Sequence, residues 1–177
     1  DPAMLSRTAD SLYWVARYVE RAEYMARILE ATTRLASLPA SYGSTTTEWQ
    51  SAVRTAGCED AFNAASGEAS EKNVREFLSF SPDNPSSIRN CIETARTNAR
   101  AVRTAITSGM WDSINGAWLE MKRFDGKKMN SEDFGRFLDW VKNFSLTFDG
   151  SAYRSMLRSD SYWFTRVGLY MERADNT

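Results

Sequence analysis

Two stretches of the chain carry the same charged phrase. Tyr18-Val19-Glu20-Arg21-Ala22-Glu23 stands near the start, and Tyr170-Met171-Glu172-Arg173-Ala174-Asp175 near the end. Each sets a carboxylate beside a guanidinium. Glu20 or Glu172 acting as a base, with arginines clamping an acyl, amino-acid or phosphate group, is one chemistry these types support. The other is an ion pair with no ligand. Aligned on Glu20 and Glu172, Val15-Ala16 meets Val167-Gly168, and only Arg17 against Leu169 breaks the run. An aromatic pair precedes each phrase, Tyr13-Trp14 and Tyr162-Trp163, three residues out of register.

On a helical wheel of ~100° per residue, Arg21 falls beside Trp14, Tyr18, Met25 and Ile28, within a broad apolar arc. Glu20 points about a quarter-turn away, beside Tyr13, Arg17, Tyr24 and Arg27. An unpaired charge in an apolar arc is costly, so Arg21 requires a partner. The economical arrangement is reciprocal. Arg21 meets Glu172 and Arg173 meets Glu20, with bidentate geometry fixing the register of two adjacent helices. The pairs are then either purely structural, or they line a polar site between helices.

A second cluster lies in Ala95–Arg103, where Arg96, Arg100 and Arg103 fall at i, i+4 and i+7 on one helical face, with Arg89 a heptad earlier. Like charges at this spacing repel. The stripe is a solvated face offset by Glu93, or it meets an acidic partner surface, the Glu20 and Glu172 carboxylates, or a phosphate- or carboxylate-bearing ligand. Trp111 and Trp118, seven apart, read as core rather than as a ligand cage.

The chain holds no histidine. That removes Ser-His-Asp and Cys-His catalysis, and every metal site that needs imidazole, including the Glu-x-x-His pattern of di-metal helical proteins. No Gly-x-Gly-x-x-Gly, P-loop or Gly-x-Ser-x-Gly is present, so neither metal nor cofactor is expected. Cys58 and Cys91 form no metal-spaced motif, and a reduced, cytoplasmic setting is the simplest reading. A net charge of −1 offers no bulk attraction to nucleic acid or anionic lipid. No window approaches the ~18 apolar residues of a membrane helix, and no signal-peptide pattern is present.

These side chains must be positioned by helices. Leu12, Val15, Val19, Ala22, Ala26 and Leu29 recur at steps of three and four, which predicts a helix over Asp10–Ala36 with Asp10 or Ser11 as N-cap. Ser37–Thr47 reads as loop, Glu48–Ala56 as a helix ending at Gly57, Cys58–Ala65 as weaker helix, and Ser66–Ser70 as loop. Ser70 caps a short helix to about Phe80. Asn84 and Pro85 are expected to start the next helix, whose stripe is Ile88, Cys91, Ile92, Ala95, Ala99, Val102 and Ile106, with a kink or end at Thr107–Gly109. Met110–Met121 continues helically, Arg123–Lys128 turns, and Ser131–Phe148 is helical. Asp149-Gly150-Ser151 is expected to break the chain before a last helix from Tyr153. No segment alternates as a strand would, so the expected fold is all-α: a multi-helix bundle with its first and last helices packed together. Residues 1–3 read as a vector remnant, and residues 4–177 as a single helical domain. The open end at Asp175-Asn176-Thr177 reads as truncation of a longer protein.

With these stretches in hand, the chain resembles the bacterial alpha-E proteins, a helical domain of unknown function named for its Glu-Arg motif. The matching segments are Leu12–Glu23, Ala95–Arg103, Met110–Asn115 and Glu172–Asp175, spanning about the N-terminal half of a typical member. Leu169 in place of an arginine makes the two copies of the phrase unequal. The resemblance marks Glu20, Arg21, Glu172, Arg173, Arg96, Arg100 and Arg103 as motif residues. It also implies a neighbourhood of ATP-grasp ligases and transglutaminase-like proteases, and thus a pathway forming and cutting amide bonds. The expectation drawn from it is an accessory helical protein that partners an ATP-grasp ligase. The alternatives are a ligand-binding protein or enzyme built on the Glu/Arg cluster, or a homo-oligomerisation module.

Overall fold

The structure, a computed structural model, describes residues 2–39 and 47–177, with side chains from Leu5 onward. Most of the loop expected over Ser37–Thr47 therefore lies outside the described residues. Eight helices follow one another among them: α1 (Pro2–Ala36), α2 (Glu48–Thr55), α3 (Glu59–Ala65), α4 (Glu71–Ser79), α5 (Ile88–Ala101), α6 (Ser108–Met121), α7 (Ser131–Ser155) and α8 (Asp160–Asp175). No strand occurs among the described residues, and no helix there is long and apolar enough to cross a membrane.

The apolar stripes read from the sequence are the core. Leu12, Val15, Val19, Ala22, Ala26 and Leu29 of α1 are all buried, as are Ile88, Cys91, Ile92, Ala95 and Ala99 of α5, followed by Val102 and Ile106. α1 is the central element. It packs along α8, α5 and α7 and also touches α2 and α4, while α6 lies against α5 and α7. Helix starts are set by short polar side chains: Thr47, Ser70, Ser87, Thr107 and Asn130 each accept the backbone N–H three residues ahead. Each such cap contributes about 1 kcal/mol. Gly57 closes α2 in the left-handed region at φ 67°, where its missing Cβ removes the strain.

Four boundaries depart from the sequence reading. α1 starts at Pro2 rather than at Asp10 or Ser11, because proline is tolerated in a first turn and no breaker follows it. α5 starts after Ser87 rather than Asn84. Buried Asn84 instead closes the α4–α5 turn, its Nδ2 donating to the Phe77 carbonyl and its Oδ1 accepting from the Ser86 N–H. α5 ends at Ala101, so Arg103 lies past the helix in the turn to α6. α7 runs straight through Asp149-Gly150-Ser151, and Tyr153 belongs to it rather than to the last helix. Phe148 and Ala152, four apart and both buried, hold that turn in the helix. Their burial outweighs the roughly 1 kcal/mol cost of an internal glycine.

Candidate functional site

The stripes of α1 and α8 bring the two charged phrases face to face, and the reciprocal pairing forms. The Glu172 side chain is 3% exposed. Its Oε1 accepts from Arg21 Nε at 2.7 Å, and its Oε2 from Arg21 Nη2 at 3.1 Å. At the adjacent positions, Arg173 Nε donates to Glu20 Oε1 at 2.6 Å. The second pair is less enclosed, with the Glu20 side chain 12% and Arg173 53% exposed.

A third arginine completes the lock. Arg17 Nε donates to Glu172 Oε2 at 2.5 Å, its Nη2 to Asp175, and its Nη1 to the Tyr13 hydroxyl at 2.8 Å. Glu172 thus serves two guanidiniums, and Asp175 supplies the second negative charge. Aromatic residues before and at the start of the first phrase help to carry these cations. Arg17 sits 5.6 Å from the ring centroids of both Tyr13 and Trp14, and Arg21 sits 5.0 Å from that of Tyr18.

Close approach of the helices comes from Gly168, which stands opposite Ala16 in the alignment of the two phrases. A Cβ there would lie 2.3 Å from the Tyr13 carbonyl oxygen, so only glycine permits the backbones to meet here. The acid closing the first phrase has a separate task. Buried Glu23 accepts from Arg27 on its own helix, at 2.8 and 2.6 Å, and from Ser145 Oγ of α7 at 2.6 Å. Arg166 of α8 likewise reaches Asp149 of α7 at 2.5 Å.

Burial acts on this cluster. It pushes the Glu20 carboxyl above its ordinary range, against the opposing pull of the Arg173 guanidinium. For Arg21, burial works to lower the pKa, but the hydrogen bonds and charge of Glu172 outweigh it and the net shift is upward. On α5, burial pushes the Cys91 thiol up to about 12, and the charges of Arg21 and Glu172 both act on it. Both cysteines are free.

Arg96, Arg100 and Arg103 make no ion pair with Glu20 or Glu172 among the described residues. Their counterpart is aromatic. Arg96 donates to Asn115 Oδ1 at 2.9 Å and lies 3.9 Å from the Trp118 ring centroid and 5.7 Å from that of Trp111. Arg103 covers Trp111 at 5.6 Å, and Lys122 lies over Trp118 at 3.3 Å. The two tryptophans pack against the core on one side while holding cations on the other. Arg100 is exposed.

Chemically, the Glu172 oxygens are already engaged by three guanidinium donors, which suits a register lock between α1 and α8. Of the two reciprocal pairs, the outer one borders open space. Glu20, Arg173, Glu23, Arg27 and Tyr24 line a groove of 490 Å³. No group of three or more His, Cys, Asp or Glu that could hold a metal occurs among the described residues. Arg17 escaped the sequence reading because it breaks the repeat, although the wheel had set it beside Glu20. Glu23–Ser145 and Arg166–Asp149 carried no local signal.

Residues 4–177 match the family model Alpha-E, described as a predicted alpha-helical domain with a conserved ER motif. No curated protein and no solved structure matches the chain.

Proposed function

The chain belongs to the Alpha-E family, and on that premise we propose that it is an accessory docking protein whose partner is an ATP-grasp ligase. The observation that carries this reading is the outer face of α8. Tyr162, Thr165, Gly168, Leu169 and Glu172 are buried on one side of the helix. Trp163, Phe164, Val167, Tyr170 and Met171 form a second apolar stripe that faces outward, with Trp163 56% and Val167 50% exposed. A helix apolar on two faces serves two contacts. The first is α1, and the ion-pair lock holds α8 there in fixed register. The second is uncovered among the described residues and is the face assigned here to the partner. The self-contained Glu/Arg network and the lack of histidine support placing the amide chemistry in the ligase, with a transglutaminase-like protease acting in the same pathway.

A second reading rests on the groove beside Glu20 and Arg173. There, Glu20 would act as base and Arg173 as anion clamp toward an amino-acid, acyl or phosphate group. Co-expression of the chain with its neighbouring ligase, followed by gel filtration with light scattering, tests the docking reading. Co-elution as a defined complex and a change in ligase activity are expected. Separate elution with unchanged ligase activity refutes the proposal, and a dimer of this chain alone assigns the α8 face to self-association. Glu20→Gln and Arg21→Lys proteins that stay folded and lose only ligand binding or activity would favour the groove.

A further inference from the structure

A second cleft, of 610 Å³, opens between α4, the Phe124–Asn130 turn and the start of α7. Phe80 and Phe134, both buried, and partly buried Met129 supply its apolar wall. Its cation is Arg75. This guanidinium lies between two rings, 4.5 Å from the Phe134 centroid and 5.7 Å from that of Trp49, with its side chain only 14% exposed. It is poorly served for a buried cation. Nη2 meets Glu71 Oε1 of the preceding turn at 2.5 Å, while Nε is shut off from solvent with no hydrogen-bond partner. Buried donors without partners are rare and call for a reason. Ser79, one turn further along α4, also buries a hydroxyl without a partner. Gly126 shapes the opposite wall: a Cβ there would come within 2.4 Å of the Phe80 ring and 2.9 Å of Glu76 Oε2, so the turn presses directly onto α4.

We propose that this cleft binds a small organic monocarboxylate with an apolar body. The carboxylate takes Arg75 in a bidentate fork, the geometry that guanidinium provides and ammonium does not. The body rests on Phe80, Met129 and Phe134. Glu71 is the group displaced. It is half-exposed and joined to Arg75 only as an i, i+4 pair, a contact easily exchanged for a better acceptor. Exposed Lys72 and Lys127 add positive potential at the rim. Glu71 and Glu76 set an upper limit on ligand charge, because a polyanion would face both. The volume falls within the several hundred Å³ of small-molecule sites.

The test is an amide NMR titration of the whole chain with phenylacetate and, separately, phenylacetamide. The acid should give saturable shifts at Gly126 and its neighbours, with the amide at least about tenfold weaker. Arg75→Lys should weaken the acid about tenfold, since the fork is lost while the charge stays. The pair Lys72→Glu and Lys127→Glu, both on the exposed rim, should also weaken the acid and leave the amide unchanged. This variant decides the matter if Arg75→Lys fails to fold. Equal binding of acid and amide, no saturable shift with the acid, or indifference to the rim reversal would overturn the proposal. None of these outcomes involves the α8 face, so the docking reading stands or falls separately.

Discussion

Replacing Glu172 by Gln removes one negative charge while leaving the side-chain volume almost unchanged. In the native protein that side chain is 3% exposed and accepts from Arg17 and Arg21 through three N–H donors. Breaking a buried pair by neutralising one member costs about 3–5 kcal/mol, because the remaining charge stays desolvated. Two features place this case at the lower end. Arg17 keeps Asp175 and Tyr13, and Arg21 is partly exposed and can turn toward water. The expected loss is therefore about 3 kcal/mol, which for a chain of this size lowers the melting temperature by roughly 6–12 °C. Urea and thermal unfolding followed by circular dichroism read it directly. Glu132→Gln is the control: it removes an i, i+4 pair to Arg136 whose members are both largely exposed, and should change nothing measurable. A Glu172→Gln protein as stable as that control would refute the lock. Combining Glu172→Gln with Arg21→Met should cost less than the sum of the two single changes, since the second change removes the charge that the first leaves stranded.

Gly168→Val should destabilise by about 1–3 kcal/mol as overpacking, since the obstructing atom is a backbone carbonyl that cannot swing aside; urea midpoints report it, and an unchanged midpoint would remove the close α1–α8 contact. Burial pushes the Cys91 thiol to about 12 and the Cys58 thiol to about 11, so an aromatic disulfide reagent at neutral pH should leave Cys91 unreacted in the native protein and modify both only in denaturant. Acid titration of stability separates two glutamates of opposite sign. The Lys142 hydrogen bond holds Glu30 below its ordinary range. Its contribution is present above the ordinary carboxylate pKa and is lost as pH falls through the depressed one, so Glu30→Gln should weaken the protein at neutral pH and cease to matter in acid. Glu20, raised by burial, binds its proton more tightly when folded. Its contribution is greatest below the ordinary pKa and is lost as pH rises through the raised one, so the balance between wild type and Glu20→Gln should move toward the variant as pH increases.

That last expectation separates two roles inside one motif. A buried ion pair can set which residues meet without adding net stability, because desolvation offsets the attraction. Glu20–Arg173 is the half-enclosed version of this, with burial of Glu20 opposing the attraction of an exposed Arg173, and Glu172, shared by two guanidiniums, is the member whose loss should be felt.

The reciprocal pairing was legible in the sequence because two constraints coincided. The wheel set Arg21 in an apolar arc, and the repeated phrase named its partner. The core stripes were legible for a similar reason, since helical period and burial are tied residue by residue. Arg17 was read as the flaw in the repeat, when it is the second donor to Glu172. A repeat identifies symmetric contacts, and here the lock is asymmetric. Asp149-Gly150-Ser151 looked like a break because local propensity favours one there. The decisive contribution, burial of Phe148 and Ala152, comes from helices distant in sequence. The arginine stripe was half-read. Its spacing was correct up to the end of α5, but its counterpart is the faces of Trp111 and Trp118 on α6, and no local pattern links those segments.

The Glu-Arg lock is proposed to fix α8 so that its outer face receives a partner. The most direct measurement is a binding titration of the ATP-grasp ligase proposed as partner with the wild-type chain and with a Trp163→Ser, Val167→Ser double variant. Both replaced side chains are largely exposed, so folding should be retained. Saturable binding by the wild type and a loss of at least about tenfold in the variant are expected, as for removal of an apolar anchor. Equal affinity of the two proteins, or no binding by the wild type, would contradict the proposal.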